Sequence, residues 1–89
     1  MSETYLEVSY RHGRPIAAYD YLPRRPGQKC SRTQSLEDGV VGDYGRDEQP
    51  IGIELTAPES MTLARMNRVL RLLGPRLMTR RDLAPLRAA

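Results

Sequence analysis

The stretch Pro50-Ile51-Gly52-Ile53-Glu54-Leu55-Thr56 runs into Pro58-Glu59-Ser60-Met61-Thr62 and then into an amphipathic helix. Ile51, Ile53 and Leu55 alternate with Gly52 and Glu54, the period-two pattern of a half-buried strand. Thr62 is a good N-cap, because its hydroxyl can accept from a backbone N–H that has no partner in the first turn. Leu63, Met66, Val69, Leu70 and Leu73 then recur at helical spacing over an arc of about 120°, a width suited to packing on a sheet. Gly74 follows as a natural C′ residue and Pro75 prevents continuation. One strand and one helix are thereby placed, and no chemistry is.

Working back toward the N-terminus, Asp38-Gly39 is a hairpin turn signal and Val40 to Tyr44 is short and β-favouring. A register with Tyr44 opposite Ile51, Gly42 opposite Ile53 and Val40 opposite Leu55 puts the apolar side chains on one face. Val41, Asp43 and Glu54 then point the other way. A slip of one residue would expose the isoleucines, so the pattern selects this register. Lys29 to Leu36 is polar throughout and reads as an edge strand able to pair with another chain. Tyr5 to Tyr10 alternates, with Leu6, Val8 and Tyr10 on one face and Tyr5, Glu7 and Ser9 on the other. Arg11-His12-Gly13-Arg14 reads as a turn, and Ile16 to Leu22 as a second strand ended by Pro23, Pro26 and Gly27.

The expected fold is therefore α+β: an antiparallel β-meander of four to five strands, then one helix packed on the sheet. Residues 1–74 form the domain. Residues 75–89 form a loosely attached basic tail with one helical turn near Arg80 to Ala84, and removal of this tail is expected to spare folding.

With 89 residues the chain is one domain, burying only roughly 60–65% of its unfolded surface. It has no Trp and no Phe, so its five tyrosines are its only aromatics. Tyrosine hydroxyls must stay wet or find a partner. A core this small makes a homodimer the expected state. No apolar run approaches the ~20 residues of a membrane span. The N-terminus shows no basic start followed by an apolar stretch, so cytoplasmic is the expected location.

Fourteen basic residues against eleven acidic ones give a net charge of +3, and only Lys29 is lysine. Arg65, Arg68 and Arg71 share a helix face, and Arg80-Arg81 lie in the tail. These five are the candidate partner-binding residues, because arginine suits bidentate contact with carboxylate or phosphate. Nucleic acid is the alternative partner, although there is no helix-turn-helix pair, aromatic sheet platform or zinc finger.

Catalytic, cofactor and metal sites are not expected. His12 is the only histidine and sits in a turn, and Cys30 is the only cysteine, so no zinc quartet or intrachain disulfide can form. Asp43 and Glu54 can share a sheet face, which reads as a solvated face before it reads as an acid–base pair.

The run Asp43-Tyr44, a short polar loop and Pro50-Ile51-Gly52-Ile53-Glu54-Leu55 resembles the signature D-Y-D-x-x-G-x-x-V-G-I-E-I of a small bacterial family of β-meander domains of unknown function. Tyr10 with Ile16-Ala17-Ala18-Tyr19 is similar to its N-terminal pattern Y-D-x-x-x-D-x-L-Y-I. Arg11 replaces the first Asp, the second is lost around Arg14-Pro15, and the middle Gly is missing from Gly45 to Gln49. The likeness spans roughly residues 5 to 73, including the Thr62-Leu63…Asn67-Arg68-Val69-Leu70 helix. It implies a curved antiparallel sheet with a helix across one face and no established activity. Some relatives are thought to neighbour toxin-like genes, which implies an antitoxin-like or regulatory interaction module by association alone.

Overall fold

A computed structural model describes residues 5–74 and 77–86. The fold is α+β. Five strands, β1 (Tyr5–Arg11), β2 (Arg14–Tyr21), β3 (Arg32–Glu37), β4 (Val40–Tyr44) and β5 (Pro50–Leu55), form one antiparallel sheet in the order β1-β2-β5-β4-β3. Helix α1 (Leu63–Leu73) follows, then a short α2 (Arg80–Leu83). Single 3-10 turns occupy Pro58–Ser60 and Ala84–Leu86.

The order follows from where the turns fall. His12 and Gly13 both take positive φ, the two-residue geometry that hairpins β1 onto β2. β3, β4 and β5 meander, and β5 then docks on β2, so β2 to β5 make a Greek key. The long link after β2 crosses the end of the sheet. Leu22 N–H donates to the Ile51 carbonyl at 3.2 Å and Ser31 N–H to the Tyr44 carbonyl at 2.7 Å. Val40 opposes Leu55 and Gly42 opposes Ile53, as the hydrophobic pattern requires. Tyr44 opposes Pro50 instead of Ile51, because the register shifts between Asp43 and Tyr44. Proline has no N–H to give to the ladder, and the loop beside it closes on its own Gly45–Gln49 backbone bond at 3.0 Å.

One sheet face is covered and the other is not. Ala18, Val40, Ile53 and Leu55 of the covered face pack with Met66, Val69 and Leu70 of α1 in one buried cluster. Leu63 and Leu73, at the margins of the helix stripe, are partly buried against it. Thr62 Oγ1 accepts from Arg65 N–H at 3.1 Å, and Gly74 at φ 93° sends its N–H to the Leu70 carbonyl at 2.9 Å. Both helix ends are thus capped as the sequence implies. Thr62→Ala is expected to cost about 1 kcal/mol, lowering the thermal midpoint by roughly 4–8 °C. A melt within 1 °C of the parent would show that the cap contributes nothing.

The segment after Gly74 departs from the expectation of a loose tail. The helical turn is present as α2, but Met78, Leu83 and Leu86 are buried in the same core cluster as Ile53 and Met66. Leucines at 83 and 86 are three apart, so one turn of helix passing into a 3-10 turn aims both inward. Asn67 on α1 holds the segment's entry: its amide donates to the Met78 carbonyl at 3.0 Å and accepts Met78 N–H at 2.8 Å. Thr79 and Asp82 form a reciprocal capping box on α2. Tyr10 Oη donates to the Pro85 carbonyl, tying the segment to β1. Residues 75, 76 and 87–89 of the expected tail lie outside the described residues.

Candidate functional site on the uncovered sheet face

The five arginines expected to bind a partner do not act together. Arg65 donates to Glu37 Oε2 through Nε at 2.9 Å and Nη2 at 2.7 Å, and reaches the Asp38 carbonyl at 3.1 Å. Arg68 takes the other oxygen of Glu37 at 3.1 Å. Both therefore fasten α1 to the β3–β4 turn, and they hold the Glu37 carboxyl below its usual range. Arg71, Arg80 and Arg81 are exposed and make no ion pair among the described residues.

The uncovered face is built by alternation. Leu6, Val8, Ala18 and Ile53 point into the core, so Tyr5, Glu7, Ser9, Ala17, Tyr19, Tyr21 and Glu54 point out on the other side. Cross-strand pairing sets Tyr5 opposite Tyr21, and the two rings stack with centroids 4.4 Å apart. Tyr19 meets Tyr21 edge to face at 4.7 Å. The guanidinium of Arg24 lies 5.6 Å from the Tyr21 centroid, anchored by a 2.7 Å bond to the Ile51 carbonyl. The reading that no aromatic platform exists is corrected here: three tyrosines share one face.

Two of the three hydroxyls are committed to carboxylates. Tyr19 Oη donates to Asp43 Oδ2 at 2.7 Å and Tyr21 Oη to Glu7 Oε1 at 3.2 Å. Partial burial, then the bond to Asp43, raises the Tyr19 phenol well above its ordinary range. Tyr19 reaches Asp43 by lying across Gly52 on β5. A Cβ built on Gly52 would fall 1.9 Å from the Tyr19 oxygen, so only glycine leaves room for the ring. Glu54 sits beside Tyr19 on β5 and is exposed. Asp43 and Glu54 do share a face, as expected, but Asp43 is held by a phenol.

The remaining chemistry-bearing residues lie elsewhere. His12 is exposed in the β1–β2 turn, and Cys30 is exposed on the link before β3. Among the described residues no three His, Cys, Asp or Glu side chains gather as metal ligands. No helix among them is long and apolar enough to cross a membrane. An open groove of about 770 Å³ runs along the link after β2, lined by Leu22, Arg25, Gln28, Asp47 and Leu73 among others. Arg25 and Asp47 bridge across its rim at 2.8 Å.

Among the described residues one charged side chain is buried in the covered face. Asp20 of β2 is 1% exposed among the core side chains, and its Oδ1 has no hydrogen-bond partner. Burial, then the charge of Asp82, pushes its carboxyl up to about 7. Sequence reading passed over it because Asp20 occupies an apolar position in a strand otherwise rich in Ala and Tyr.

Comparisons with protein-family models, with curated proteins and with solved structures give no match for this chain.

Proposed function

We propose that this chain is a non-enzymatic protein-interaction module that binds through the uncovered face of its sheet. The observation that supports this reading most strongly is the tyrosine cluster. Tyr5 is 59% exposed although the chain has few aromatics to fill its core. Large amphipathic rings held rigid at a surface are the side chains that dominate protein interfaces. Self-association through the exposed, polar edge strand β3 belongs to the same reading and leaves the tyrosine face free. An antitoxin-like or regulatory role would be a specific form of it, resting on the resemblance of the β4–β5 segment.

Nucleic-acid binding is the second reading, favoured by Arg71, Arg80 and Arg81, which have no ion pair among the described residues. Arg65 and Arg68 speak against it, because both are tied to Glu37, which offsets one of their two charges. A photo-crosslinking residue placed at Ser9 or at Arg71 in the producing cell separates the two. Discrete protein adducts from position 9, resistant to nuclease, are expected. Adducts from position 71 alone, removed by nuclease, would replace the interaction-module reading with the nucleic-acid one.

A further inference from the structure

The uncovered face has a charge opposite to that of the whole chain. The sequence carries fourteen basic and eleven acidic residues, yet around Tyr19 this face presents Glu7, Asp43 and Glu54, with Arg24 at one corner and Arg11 at the far end of β1. The carboxylates are not scattered. Glu7 on β1 opposes Tyr19 on β2, which opposes Glu54 on β5, so an acidic residue stands on each side of Tyr19 in the ladder. Next to the Tyr19 ring a pit of about 130 Å³ is lined by Glu7, Ser9, Ala17, Ala18, Tyr19 and Glu54.

The molecule already shows what its tyrosine rings accept. Arg24 is placed over Tyr21, and on the covered side Arg32 lies 4.2 Å from the Tyr44 centroid. A cation over a tyrosine face is attracted by the ring quadrupole, and adjacent carboxylates add charge-assisted hydrogen bonds. Tyr19 and Tyr21 are two residues apart on one strand, a spacing of roughly 6.6–6.8 Å. Alternate side chains of any extended peptide have the same repeat.

We infer that the uncovered face docks an extended, arginine- or lysine-bearing segment of a partner protein, one cationic head group seating between Glu7 and Glu54 against Tyr19. The inference rests on the interaction-module reading and names the partner's chemistry. Three carboxylates repel a phosphate backbone from the surroundings of Tyr19.

The test is an amide-resolved NMR titration of the full chain, at 50 mM salt, with an unlabelled peptide alternating Thr with Arg and Lys. Shifts confined to Glu7, Ser9, Ala17, Tyr19 and Glu54 are expected. Glu7→Gln combined with Glu54→Gln is expected to weaken binding about tenfold or more while the spectrum keeps its dispersion, because both side chains are exposed. Three results would each overturn the inference: no shifts at millimolar peptide, equal binding by a peptide with Glu at the cationic positions, or shifts of this face with protein concentration alone. Should the peptide fail while crosslinks from position 9 still capture protein, the cationic partner is wrong and the interaction module stands. If both fail, both readings fall.

Discussion

A chain ending at Gly74 is expected to lose cooperative folding. The cut removes Met78, Leu83 and Leu86 from the core cluster and takes away both bonds that Asn67 makes to Met78. Burying one such side chain is worth roughly 1.5–3 kcal/mol, so three contribute on the order of 5 kcal/mol or more. Domains commonly have only about 5–15 kcal/mol in total. Removal would also open the covered face above Ile53 and Asp20. Urea denaturation of the truncated chain is expected to show a broad, shallow transition with a reduced m-value. Leu86→Ala serves as the graded version, with an expected loss of about 2–4 kcal/mol. A sharp transition with the parent midpoint after truncation would return residues 77–86 to the status of a dispensable tail.

The second large effect is a pH dependence that runs against the usual one. The Asp20 carboxyl is raised from its ordinary value near 3.8 to about 7, chiefly by burial and then by Asp82. Its folded-state value lies above its unfolded one, so the folded state holds a proton that the unfolded state releases. Stability from this group is fully present below pH about 4 and is lost as pH rises to about 7. A shift of about three units corresponds to roughly 4 kcal/mol. Glu37 works in the opposite sense: its carboxyl is held low by Arg65 and then Arg68, so its contribution is lost as the solution is acidified below the ordinary carboxylate range. The two together place the stability maximum in mild acid. Asp20→Asn is expected to flatten the urea midpoint between pH 5 and 8, where the parent declines. A parent profile that is already flat across that window would show that Asp20 is not the titrating group.

Much of this architecture was legible locally. Thr62 and Gly74 mark both ends of α1 by cap chemistry, and Val40, Gly42, Ile53 and Leu55 set the central register by alternation. Those signals reside within one element or one hairpin. The C-terminal segment was misread because its apolar residues, Met78, Leu83 and Leu86, follow no single period. Their inward aim depends on the change from α2 to the 3-10 turn and on Asn67, a residue of another helix. The tyrosine face was half visible, since Tyr5, Glu7 and Ser9 alternate away from Leu6 and Val8. What was hidden is that β2 lies between β1 and β5, which brings Tyr19 and Tyr21 beside Tyr5 and over Gly52. That adjacency joins residues more than thirty apart in several cases, as with Ala18 and Leu55. The arginines were misassigned for a similar reason: Glu37 lies far from Arg65 and Arg68 in sequence and meets them only after the helix has folded back on the β3–β4 turn.

The position of β5 also sets a timetable for the growing chain. It is the central strand of the sheet, yet it is the last of the five to leave the ribosome. Until Leu55 has emerged, β1–β2 and β3–β4 are two separate ribbons, and a two-stranded hairpin is at best marginally stable in water. Each exposes an edge that β5 will later occupy. The contact of Tyr10 with Pro85, seventy-five residues away, comes later still. The nascent chain therefore passes through an interval in which its most template-like edges are unpaired, and a factor that shields strands during synthesis would act on this protein before residue 55 and have little to hold after it.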